Sequence, residues 1–113
     1  FEFQSDNFGW FLDDVSVRAG HAPDDELLQD GSFTDRDANV WNHCFPSNPT
    51  ASPNFFGWPC HSSPSCFQTQ SFDFNTEYLG QGFLIESGQL YSVEFYASSR
   101  DPDDRLTVKI TFQ

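Results

Sequence analysis

The last eight residues, Leu106 to Gln113, alternate without a break: Leu106, Val108, Ile110 and Phe112 are apolar, and Thr107, Lys109, Thr111 and Gln113 are polar. A period of two marks a strand with one buried face, and no turn residue follows to close it. The first four residues, Phe1, Glu2, Phe3 and Gln4, alternate in the same sense. Joined tail to head, the apolar positions run Leu106, Val108, Ile110, Phe112, Phe1, Phe3 in phase, and the polar positions match. Two incomplete strand ends that complete each other demand a fold in which they meet, within one chain or between copies.

The remaining sequence points to the same class. Fourteen Phe residues bring the aromatics to 18%, while strong helix formers are scarce and Pro, Gly, Ser, Asn and Asp are scattered throughout, which favours an all-β fold. A length of 113 residues suits one domain. Strand candidates are FEFQ, GWFLDDVSV with Trp10 and Leu12 on one face before the Asp pair and Val15 and Val17 after it, ELLQDGSF, ANVWNHCF, CFQTQSFDF, EYLGQGFLIE, QLYSVEFYAS and LTVKITFQ. Turn signals at Asp30-Gly31, Asn75-Thr76, Ser87-Gly88 and SSRDPDDR punctuate them. Seven or eight short strands at this spacing predict an antiparallel β-sandwich. Residues 1–17 read as a strand pair, 18–25 (RAGHAPDD) as a linker, and 26–113 as the main body, with a long Pro- and Cys-rich loop at 46–66.

Seventeen acidic residues against five basic ones give a formal net charge of -12, which repels phosphate backbones and anionic lipid. Nucleic acid and membrane insertion are therefore not expected, and no apolar run approaches the roughly 20 residues of a membrane span. The chain starts with Phe and lacks Met, so it is expected to be a processed product or an excerpt, with targeting signals, if any, elsewhere. Cys44, Cys60 and Cys66 lie in one loop-rich third, a setting typical of secreted disulfides, which predicts an extracellular protein. Cys44 paired with Cys60 or Cys66 comes first, a short Cys60–Cys66 bridge second. The odd cysteine is then a link to another subunit or a buried free thiol.

LLQDGSFTDRDANVW resembles the opening of galactose-binding-like jelly-roll domains of the carbohydrate-binding-module type. GWFLDDVSV is similar to the closing strand of that family, and EYLGQGFLIESGQLYSVEFYAS to a central strand pair. The set covers roughly two thirds of the chain, but in inverted order, since the closing strand at residues 9–17 precedes the opening at 26–33. The resemblance therefore implies a jelly roll cut in mid-strand and completed by a strand pair. Tandem repetition or strand exchange between separate chains would supply that pair from a neighbouring copy. In a permuted monomer it would come from the same chain, with residues 1 and 113 side by side.

Completion matters energetically. Phe1, Phe3, Trp10 and Leu12 gain roughly 1.5–3 kcal/mol each on burial, and removing them would bare a strand edge. Donation between copies meets both needs, and repeated head to tail it builds an open filament. The expected assembly residues are Phe1, Phe3, Phe8, Trp10, Phe11 and Leu12 as donor, and Leu106, Val108, Ile110 and Phe112 as acceptor. The partner is another copy, and the product a fibre or surface coat.

The resemblance also implies a structural calcium ion near Asp13 and Asp14. Thr34 stands where the family holds a Glu, so Asp30, Thr34 and Asp35 would have to supply further oxygens; the alternative is a solvated acidic rim. Phe55, Phe56 and Trp58 form either a glycan-stacking patch or a small core beneath their loop, and Trp41, the fourth candidate, reads rather as core. A carbohydrate-binding module is thus the second functional reading. The spacing of His43, Cys44, Cys60, His61 and Cys66 does not suit zinc, and RDPDDR, with Asp101, Asp103 and Asp104, reads as a solvated turn. No nucleophile motif or cleft-like carboxylate pair argues for an enzyme. No N-glycosylation sequon occurs, while PSNPTASP and SSPS have a composition open to O-glycosylation.

Overall fold

A computed structural model describes residues 2–5, 9–36, 39–48, 50–58, 60–62, 64–70, 76–99 and 105–111. It is an all-β antiparallel sandwich, with no helix among the described residues and hence none there long and apolar enough to cross a membrane. The strands are β1 (Glu2–Ser5), β2 (Phe11–Ala19), β3 (Ala22–Glu26), β4 (Asn42–Cys44), β5 (Asn54–Phe56), β6 (Cys66–Gln68), β7 (Glu77–Gly80), β8 (Tyr91–Ser98) and β9 (Leu106–Lys109). One sheet has the order β4-β7-β1-β9. In the other, β8 pairs along one side of β2, and on the opposite side β6, followed by β5, pairs with the start of β2 and β3 with its end.

β2 organises the second sheet. Its phase shift from Leu12 to Val15 and Val17, across the Asp pair, is absorbed by a register break between Asp13 and Ser16, with Asp14 at φ +49°. A bulge of this kind lets Leu12, Val15 and Val17 all face the core despite their odd spacing. The core also takes Phe3, Leu28, Phe33, Trp41, Phe67 and Leu79. Phe33 is fully buried, with its ring centroid 5.2 Å from that of Trp41 and 6.2 Å from that of Phe67. The Trp41 indole N–H, which burial would otherwise penalise, donates to the Asp30 carbonyl at 3.0 Å.

Two ring contacts fix how the sheets lie over each other. His43 on β4 packs against Phe67 on β6 at 6.0 Å, and Phe3 on β1 against Phe95 on β8 at 5.0 Å. β9, beyond β1, therefore lies on the β8 flank. β3 and β8 both pair with Arg18 and Ala19 of β2, so they lie on opposite sides of it, which puts β3 on the other flank.

Several elements differ from the sequence expectation. The stretch 18–25, expected as a linker, comprises the end of β2, a turn at Gly20-His21 and most of β3. Glu26 holds it there, its carboxylate accepting from Ser16 Oγ, Val17 N–H and Leu28 N–H. ELLQDGSF is not a strand beyond Glu26: Asp30, Phe33 and Arg36 adopt positive φ, so the backbone turns repeatedly. The loop 46–66 contains β5, paired with β6 through Phe55 and Phe67. Finally, the chain ends are not collinear: β1 and β9 are antiparallel neighbours, with Glu2 opposite Lys109 and Ser5 opposite Leu106.

Candidate functional site

The residues expected to mediate assembly divide by burial. Phe3, Phe11 and Leu12 are buried, Trp10 and Leu106 are partly buried, and Val108 and Ile110 are exposed. Phe1, Phe8 and Phe112 lie outside the described residues. β1 is hydrogen-bonded on both sides, to β7 and β9 of the same chain. β9 has no described strand on its outer side, so its backbone edge is open. Beside it lies an open groove of about 640 Å³, lined among others by Glu2, Tyr78, Phe83, Leu84, Ile85 and Ile110. Leu84 at its rim is 95% exposed and Ile110 52%. The period-2 pattern of β9 thus predicts the strand correctly, but among its described apolar residues only Leu106 gains cover from this chain.

The aromatic candidates separate in the same way. Trp41 is core, and Phe55 packs against Phe33 and Phe67 at 6.0 and 6.3 Å. Trp58 is 73% exposed, and Phe56, also exposed, touches Phe11 edge-on at 6.5 Å. Only Phe56 and Trp58 of the four are available to an external ring.

The five residues implied for calcium fall into two groups. Asp13 is buried at the bulge, accepting from Ser62 N–H at 2.7 Å and Asp14 N–H at 2.8 Å. Burial pushes its carboxyl above the usual value, and hydrogen bonds from Ser62 and Asp14 only partly offset this. Asp14 accepts from Ser62 Oγ at 2.8 Å and pairs with His61 Nδ1 at 2.5 Å. Asp30, Thr34 and Asp35 belong to the following turn, where Asp30 Oδ1 accepts the Asp35 N–H at 3.0 Å and Thr34 Oγ1 meets Ser32 Oγ at 2.9 Å. Among the described residues no group of three His, Cys, Asp or Glu side chains is placed to hold a metal ion. Asp101, Asp103 and Asp104 lie outside the described residues.

Cys60 and Cys66 form the disulfide, and Cys44 is free and exposed on β4. The first-placed pairing through Cys44 is thereby corrected. Cys66 lies on β6, paired with Phe56 of β5, and the chain returns to it from Cys60, whereas β4 belongs to the other sheet.

Sequence reasoning missed the setting of the histidines. His43 Nε2 lies 2.6 Å from Glu77 Oε2, both side chains nearly inaccessible. His61 stacks on Tyr96 with centroids 3.3 Å apart, bordering a recess of about 260 Å³ that Phe11, Asp13, the disulfide and Ser98 also line. Ser62 Oγ donates to the carboxylates of Asp13 and Asp14, at 3.4 and 2.8 Å, and so ties the disulfide loop to the bulge. The break in apolar phase at the Asp pair was the one sequence signal for this bulge. No protein family, curated protein or solved structure matches this chain.

Proposed function

We propose that this chain is a non-catalytic extracellular module that assembles head to tail with copies of itself into a fibre or surface coat. The observation that carries the reading is β9, an edge strand whose apolar residues Val108 and Ile110 lie uncovered beside the Leu84–Ile85 groove. An open edge next to exposed apolar side chains is a template for pairing with another chain. The Cys60–Cys66 bridge supports an oxidising, extracellular setting. The galactose-binding-like resemblance is supported by the two-sheet sandwich, an architecture that unrelated families share.

Tandem repetition and exchange of β1 are two ways of linking copies through the slot that β1 fills. In either, residues 2–5 of one copy would occupy the slot between β7 and β9 of the next. Sedimentation of the purified chain tests assembly, with a monomer at all concentrations counting against it. A tryptic digest of the natural material separates the two routes. A peptide joining Ile110–Gln113 to Phe1–Arg18 means covalent repeats, and a free Phe1 amino terminus means separate chains.

Glycan binding is the second reading, favoured by the exposed Trp58 and Phe56. Trp58→Ala is expected to abolish retention on a glycan column while leaving sedimentation unchanged. Structural calcium joins this proposal as a stabiliser that would draw Asp13 and Asp14 together with Asp30, Thr34 and Asp35. A melting temperature that is unchanged by calcium and by chelator would remove it.

A further inference from the structure

Resting on the self-assembly reading, we infer that the contact between copies is edge to edge, with the basic β9 edge of one copy against the acidic β3 edge of the next. The charge distribution carries this. Only five cationic residues offset seventeen acidic ones, and two of the five, Arg105 and Lys109, are the only charged residues of the stretch 105–113 that contains β9, following the carboxylates of Asp101, Asp103 and Asp104. Arg105 and Lys109 are exposed and make no ion pair with another described residue, despite the surplus of carboxylates. In a molecule of this charge, unpaired cations along an open strand mark the place where a second copy meets least repulsion.

β3 is the complementary edge. Asp24 and Asp25 are exposed and have no ion-pair partner among the described residues, whereas Glu26 is spent on Ser16, Val17, Arg18 and Leu28 of its own chain. Pro23 removes a backbone donor from this edge, so side-chain charge rather than a continuous ladder provides the match. Two β9 edges would repel each other, as would two β3 edges. Only the unlike pair attracts, so the contact is heterologous. Because β9 and β3 lie on opposite flanks, each copy keeps one free edge after docking and the assembly stays open.

A charge swap tests this by analytical ultracentrifugation at low salt. Arg105→Glu/Lys109→Glu makes both edges acidic, and Asp24→Lys/Asp25→Lys makes both basic. Each variant alone is expected to associate at least tenfold more weakly than wild type, and a one-to-one mixture is expected to recover association, because each edge then meets its opposite. Arg36→Glu, which alters an exposed cation away from β9, is the control and should behave as wild type. Circular dichroism confirms that the variants fold. If wild type assembles and either double variant does so equally well, or the mixture fails to recover, the edge assignment is overturned while self-assembly stands. If wild type never associates, both fall.

Discussion

Asp14 holds a backbone conformation with φ of +49°, uncommon outside glycine, and it does so where β2 must change phase. Its carboxylate and that of Asp13 tie the bulge to His61 and Ser62, so one irregular residue links the strand to the disulfide loop. A neighbouring constraint is steric. Gly31 accepts the Val15 N–H at 2.8 Å, and a β-carbon there would stand 1.9 Å from the Val15 carbonyl oxygen. Gly31→Ala should cost about 2–3 kcal/mol, read as a fall in melting temperature on the order of 10 °C. Acid response belongs to the same scale. Burial tends to raise the Glu26 carboxyl, but hydrogen bonds from Ser16, Val17, Leu28 and Arg18 outweigh it and hold the value below the ordinary 4.5. That group stabilises the fold above pH 4.5 and loses its contribution as pH falls through the depressed value. Asp13, raised, acts oppositely: it favours folding below the ordinary 3.8, and that benefit is lost as pH rises through its folded value. Glu26→Gln should therefore lower stability near neutral pH by about 1 kcal/mol through its weakened hydrogen bonds and flatten the loss below pH 4.5, as followed by denaturant titration. The acidic pair was visible in the sequence, but its partners were not. His61 and Ser62 lie 47 to 49 positions away, and only the fold brings them near.

At the level of elements, alternation located β1, β2, β8 and β9, because each has a side chain pattern that the sheet itself imposes. It failed at β3, whose Ala-Pro-Asp-Asp-Glu composition reads as a linker and whose strand character comes from Glu26 folding back onto β2. It failed again at β5, three residues long amid prolines, where Phe55 is drawn inward by Phe33 and Phe67. Trp41 was legible as core, while the exposure of Phe56 and Trp58 depended on a loop path that residue types do not encode. The two terminal strands differ in what they contribute. Phe3→Ala should destabilise by about 3–5 kcal/mol, since its ring is 2% exposed against Phe95. Ile110→Thr should shift stability by no more than about 0.5 kcal/mol in dilute monomer, because that side chain is already in water. If it weakens self-association all the same, thermal melts and sedimentation will disagree for this variant alone.

For the whole molecule, the sandwich class follows from many short alternating segments and a shortage of helix formers, so it was readable before any contact was known. How the chain ends meet was not: a matched phase fits a continuous strand and an adjacent antiparallel pair equally well, and the structure has the second. The charge of -12 acts on the whole body, so raising salt from about 10 to 150 mM should raise the melting temperature as self-repulsion is screened. Placing Glu2 across from Lys109 has a further effect on what the molecule can be made into. With Glu2 and Lys109 at the same end of the sandwich, β9 can be joined to β1 by a short glycine-rich linker, closing the polypeptide into a ring with little strain. In such a ring β1 is tethered to its own slot and can no longer be handed to a neighbour, yet both outer edges stay open. Cyclised protein that still forms oligomers would show that copies adhere flank to flank, and cyclised protein that is strictly monomeric would show that they must trade strands.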